Sequence, residues 1–144
     1  MGEHDNYGKQ VMREAAGSAY CDWGAAIEVH YHSGRPARID CTVGSLVGVE
    51  IESRVSKQVR GAVLDLICHD YQKKLLVLLP VHMNDAAVTA EQCRFILSRF
   101  MDVANFRVVM LRGTGFGPQL ENDVAAVKKA LGELGWRTQS GHVA

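Results

Sequence analysis

At 144 residues, with 47% hydrophobic and 22% charged residues, the chain has the makeup of one ordinary globular domain and is too short for two cores of usual size. Its 16 basic and 16 acidic residues cancel, which excludes a chain-wide electrostatic hold on nucleic acid or an anionic membrane and leaves only a local patch for either. No apolar run approaches the ~20 residues of a membrane span, no signal peptide is visible, and the four cysteines are widely spaced with no C-x-x-C pair, so a soluble, cytoplasmic protein without structural disulfides is expected.

The first residues, "MGEHDNYG", are polar, and residues 1–8 are expected to be frayed. A single domain then spans 9–138, followed by a tail at 139–144. From Lys9 to Trp23, Val11, Met12, Ala15, Ala16, Ala19 and Tyr20 recur at helical spacing, and Gly24 ends the pattern. Three strand-like segments follow. "AAIEVHYH" alternates Ile27, Val29 and Tyr31 against Glu28, His30 and His32. After the turn signal "SGRP", "ARIDCTVG" alternates Ile39, Cys41 and Val43 against Arg38, Asp40 and Thr42. Gly44 and Ser45 turn the chain into "LVGVEIES", where Val47, Val49 and Ile51 oppose Gly48, Glu50 and Glu52. Period-two alternation with short turns predicts an antiparallel meander.

The period then changes. Val59, Val63, Leu66 and Ile67 predict an amphipathic helix from Ser56 to about Asp70, capped by Ser56. "KKLLVLLPV" and "FRVVMLRG" are short apolar runs, the mark of strands buried on both faces. Helices are predicted from Thr89 to Met101 and from Gln119 to Leu134, the latter ending at Gly135. The order αβββαβαβα predicts an α/β (α+β) domain: a mixed central sheet with helices on both faces and right-handed later crossovers.

Within this frame Glu50 and Glu52 sit two apart on a strand and share one face. Asp40 lies across the Gly44–Leu46 turn and comes near Glu50 when the two strands pair. Three neighbouring carboxylates repel one another, and a hard divalent cation, Mg²⁺ or Mn²⁺, resolves the conflict. A solvated strand face is the plain alternative.

An acid on the second strand, an acid-x-acid on the third, and the order αβββαβ together resemble the common core of the PD-(D/E)XK nuclease superfamily, the restriction-endonuclease-like fold. The resemblance covers about Lys9 to Pro80. It implies that Asp40 and Glu50 bind metal, and that Glu52 stands where the family usually carries lysine, either binding metal or orienting the attacking water. "RID" lacks the proline that precedes the aspartate in the family. Some members move the basic residue to the following helix, which puts Lys57 or Arg60 in that role, near a helix N-terminus suited to phosphate. Glu14 on the first helix and Gln58 are weaker site residues. The activity implied is Mg²⁺-dependent phosphodiester hydrolysis on DNA, gripped through a local patch of Arg54, Lys57, Arg60, Lys73 and Lys74, with a homodimer as a natural way to cut both strands.

Two other readings are open. A non-catalytic interaction module of the same fold would explain the missing lysine. A nucleotide-binding α/β domain would centre on the loop "RGTGFGP", Arg112 to Pro118, which matches neither phosphate-loop pattern of glycines. Glu28, His30 and His32 share a strand face, but no third distant metal ligand is evident, and His82 reads as a loop residue.

Overall fold

The computed structural model describes residues 3–54, 56–113 and 117–137, and of these not the side chains of Glu3, Ser56 and Lys57. Helix α1, Glu3–Ala16, is followed by the strands β1 Tyr20–Cys21, β2 Glu28–Val29, β3 Ala37–Arg38, β4 Cys41–Val43 and β5 Val47–Glu52. Then come α2 Ser56–Cys68, β6 Lys73–Leu78, α3 Ala86–Ser98, β7 Phe106–Met110 and α4 Leu120–Glu133. The main sheet has the order β1-β4-β5-β6-β7. In it β4 runs antiparallel to both β1 and β5, while β5, β6 and β7 are parallel.

The alternation of β5 and β6 divides the core into two layers. Val47, Val49, Ile51, Leu75 and Val77 face Val11 and Met12 of α1 and Val127 and Leu131 of α4. On the other face Leu76 and Leu78 meet Val59 and Val63 of α2 and Cys93 and Leu97 of α3. Each such fully buried aliphatic side chain contributes about 1.5–3 kcal/mol. The mixed sheet with helices on both faces is therefore as the hydrophobic pattern predicts.

The amino-terminal third differs from the sequence reading. Helix α1 begins at Glu3 rather than Lys9, and Tyr7 is buried, so residues 3–8 belong to the fold and are not a frayed lead-in. Gly8 lets the helix cross β5 closely, since a Cβ there would lie 2.5 Å from Ile51 Cγ2. The helix also stops sooner, at Ala16, because Gly17 takes φ +59°. Tyr20 and Cys21, read as helical, instead form the edge strand of the main sheet. The segment read as the first long strand keeps only Glu28 and Val29 as strand. These pair with Ala37 and Arg38 as a separate two-stranded ribbon, held by Ile27, Val29 and Ile39. "ARIDCTVG" is thus split between two sheets, with its break at Ile39–Asp40.

Two buried polar knots fix the elements that carry this sheet. Lys74 Nζ donates to the carbonyl of His69 at 2.5 Å, and burial lowers that amine to about 8. His69 Nε2 lies 2.7 Å from Ala26 O, and its Nδ1 accepts from Tyr71 N, which fixes the proton on Nε2. On the other face, buried Asp123 of α4 accepts from Tyr7 Oη at 2.6 Å, Arg112 N at 2.8 Å and Gly113 N at 2.9 Å. One carboxylate so joins α1, α4 and the segment after β7.

Asp123→Ala leaves three donors short of a partner, and each such loss costs about 1–3 kcal/mol. The midpoint of urea unfolding should fall by the equivalent of about 3 kcal/mol or more, with the slope unchanged. A loss below about 0.5 kcal/mol, the size of an ordinary surface change, would show that the knot is not structural.

Candidate functional site

The main-sheet ladder between β4 and β5 ends at Cys41, opposite Val49. Just before that point the chain turns away toward the β2–β3 ribbon, and Asp40 sits at the bend. Ile51 would be left without a ladder partner there. Asp40 supplies one, its Oδ2 accepting from Ile51 N at 2.7 Å. In return Asp40 N donates to Glu50 Oε1 at 3.1 Å. These two bonds set the carboxyl groups side by side, Glu50 being 7% exposed and Asp40 half-buried. Asp40 and Glu50 are therefore brought together, as strand pairing predicts, at the carboxyl end of a parallel strand, where open α/β sheets place their ligands.

Burial, followed by the negative charge of Asp40 and the hydrogen bond with it, pushes the Glu50 carboxyl up to about 10. At neutral pH this acid holds its proton. A carboxylate against a buried carboxyl disfavours a second negative charge, and a cation would relieve that conflict.

Glu52 points to the same side of β5 but is engaged differently. Its Oε2 accepts from Arg54 N at 2.8 Å and from Arg54 Nε at 2.7 Å, while Oε1 accepts from Arg54 Nη2 at 2.6 Å. Burial acts to raise this carboxyl, yet the bonds from the Arg54 guanidinium and backbone hold it below the ordinary carboxylate range. As placed, both Glu52 oxygens are taken. Among the described residues no three His, Cys, Asp or Glu side chains are grouped to hold a metal ion, so the expected three-carboxylate cluster is a pair plus an ion-paired neighbour.

These groups line an open cavity of about 710 Å³. Its wall adds Asp5 of α1, Asp65 of α2, and Tyr31 and Arg38 from the ribbon, none of which the sequence reading placed at the site. Tyr31 Oη donates to Asp65 Oδ1 at 2.5 Å and so ties the ribbon to α2. Gln58 lines the cavity. The side chain of Lys57 lies outside the described residues. Arg60 is elsewhere: it lines a groove of about 580 Å³ between α2 and α3, beside Val88, Glu91 and Phe95. Glu14 accepts from Gln10 on the exposed side of α1 and does not line the cavity.

The expected basic patch does not assemble. Lys74 is buried against His69, and Lys73 Nζ donates to Asn105 Oδ1 at 2.9 Å. Both lie at the start of β6, whereas Glu52 is level with its end at Leu78. His30 pairs only with Glu28, at 3.3 Å. In the loop after β7, the backbone N–H groups of Arg112 and Gly113 are consumed by Asp123, which removes them as phosphate donors. Thr114, Gly115 and Phe116 lie outside the described residues.

The donor set fits a hard divalent ion that keeps several of its own waters. Asp40 Oδ1 and Glu50 Oε2 are not held by backbone donors among the described residues, and one or two carboxylates with waters suffice for Mg²⁺. The surrounding wall, with Asp5 and Asp65 besides the pair, is acidic and favours a cation.

Fold and site define an α/β/α protein with a carboxyl pair, Glu50 buried and Asp40 half-buried, at the wall of an acidic cavity. Compared with family models, curated protein sequences and solved structures, the chain matches none.

The raised Glu50 value has a signed consequence. The folded state keeps this proton above about pH 4.5, where the unfolded chain loses it, so stability falls as pH rises toward 10. Glu50→Gln keeps the shape, cannot ionise, and should remove this part of the slope. Relative to wild type, its melting temperature should improve steadily from about pH 5 to about pH 9. A constant difference across that range would mean that Glu50 is not held protonated.

Proposed function

We propose that the chain is a divalent-metal-dependent phosphodiester hydrolase acting on DNA, a divergent member of the restriction-endonuclease-like fold. The observation that carries this reading is the pairing of half-buried Asp40 with buried Glu50, joined through the Asp40 N–H and set in the wall of an open acidic cavity. The strand order β1-β4-β5-β6-β7, with helices on both faces and the acids at the β4–β5 junction, supports it.

Asp40 and Glu50 would hold Mg²⁺ or Mn²⁺, which when bound polarises a phosphoryl oxygen and acidifies a water. The rest falls to the chain's own groups. Asp40, anchored by Ile51 N, fixes the position of one carboxylate. Glu50 changes from proton holder to ligand, and its proton leaves to solvent. Glu52 aligns Arg54, whose Nη1 stays available for a phosphate oxygen while Nε and Nη2 are bound.

One observation favours a second reading, a non-catalytic module of the same fold. The closed Glu52–Arg54 pair removes the third acid, and Arg60 does not line the cavity. Metal binding separates the two readings.

In calorimetric titration, wild type should bind Mn²⁺ in a single site, and Glu50→Ala or Asp40→Asn should weaken it by at least about tenfold, or ~1.4 kcal/mol. The same variants should lose Mn²⁺-dependent cleavage of DNA. Equal binding by all three proteins, or binding by none, would leave the carboxyl pair as a structural feature and favour the module.

A further inference from the structure

The cavity holds two guanidinium groups, and only one of them is committed. Arg54 is bidentate on Glu52. Arg38, at the end of β3, lines the same cavity and is exposed, and its guanidinium has no hydrogen-bond or ion-pair partner among the described residues. It stands two residues before Asp40, where the chain passes from the ribbon into the main sheet.

The ribbon as a whole has the same character. From His30 to Arg38 it reads "HYHSGRPAR", with Arg35, Arg38 and two histidines against the single acid Glu28 of β2, which stands opposite Arg38 and pairs with His30, and residues 30–36 are all exposed. It is not loosely attached, since Ile27, Val29 and Ile39 form a small core beneath it. Tyr31, 40% exposed, is clamped to Asp65 through its hydroxyl. A tethered, basic ribbon therefore borders a cavity whose other walls are acidic. An anionic ligand would be repelled by Asp5 and Asp65 and attracted from the ribbon side, with Arg54, largely neutralised by Glu52, as the other cation of the wall.

We propose that the β2–β3 ribbon is the nucleic-acid grip of this chain, with Arg38 binding the backbone phosphate next to the carboxyl pair and Arg35 a further phosphate along the strand. Tyr31, held by Asp65, offers its ring face to an unpaired base, so DNA with a single-stranded stretch is the preferred form. This rests on the hydrolase reading for its ligand class. It places the substrate contacts on the ribbon, whereas the sequence pattern places them on the helix after β5. Guanidinium suits the task, because it is always charged and matches phosphate oxygens in a two-pronged fashion.

The test is fluorescence anisotropy of a labelled single-stranded oligonucleotide, and of its duplex, titrated with protein in Ca²⁺ buffer over a range of salt. Arg38→Ala should weaken binding and lower the slope of log K against log salt by about 1, and Arg35→Ala should do likewise. Arg38→Lys should keep the slope, and Arg60→Ala should behave as wild type. Tyr31→Ala should weaken the single-stranded probe more than the duplex. Unchanged melting temperatures check that these exposed changes leave the fold intact. If Arg38→Ala and Arg35→Ala bind as wild type does, or if Arg60→Ala is the weak variant, the ribbon assignment is overturned while the metal titration still judges the carboxyl pair. If wild type binds neither probe, the assignment also fails, and Mn²⁺ binding then decides whether the hydrolase reading fails with it.

Discussion

A pair of acids, half-buried Asp40 against buried Glu50, is the constraint around which this end of the molecule is arranged. β4 leaves the sheet at Cys41, and the backbone N–H of Ile51 needs a partner at the point of departure. The Asp40 carboxylate meets that need, and in doing so it is drawn against Glu50 in surroundings where a second negative charge is costly. The protein resolves the conflict by keeping a proton on Glu50. The structural hydrogen bond and the proposed cation site are thus two aspects of one arrangement. The adjoining Glu52 escapes the same conflict by pairing with Arg54.

The packing explains why these acids tolerate their position. β5 is the central strand of the main sheet, with α1 and α4 on one face and α2 and α3 on the other. Its odd-numbered residues fill the α1 side. Its even-numbered residues run from Gly48 to Glu50 and Glu52, under His69 and then along α2. The sheet face is therefore apolar where β6 and β7 meet α3, and polar at the Lys74–His69 knot and where β5 reaches the cavity. Asp65 faces the same cavity from α2, and its bond to Tyr31 makes the ribbon part of the wall.

Much of this was legible in the residues. The alternation of Val47 to Glu52, the apolar run of β6 and the spacing of Val59, Val63 and Leu66 set the layers. The hairpin at Gly44 brought Asp40 to Glu50. What failed to show has local causes. Ala19 and Tyr20 continue the helical spacing of α1, so only the positive φ of Gly17 reveals that the helix has ended. Ile27, Val29 and Tyr31 alternate as a strand should, but alternation does not say which sheet a strand joins, and these residues belong to the ribbon. Arg60 has the right distance along the chain from Glu52, yet it lies on the α3 side of its helix. The pairing of Glu52 with Arg54 depends on the turn at Ser53, which no periodicity encodes. Arg38 is the instructive omission: the same alternation that placed Asp40 grouped Arg38 with it, and proximity to an acid pair was the signal that it mattered.

Glu50 holds a proton beside Asp40, and a divalent ion bound by the pair as proposed would have to displace it. Titration of Mg²⁺ at neutral pH in two buffers of different ionisation enthalpy measures that proton directly, because the apparent heats differ by the number released. Release of about one proton per bound ion is the expected result, falling toward none in Glu50→Gln. Binding of Mg²⁺ by wild type with no release of a proton would contradict the proton held on Glu50 and leave it as an ordinary carboxylate.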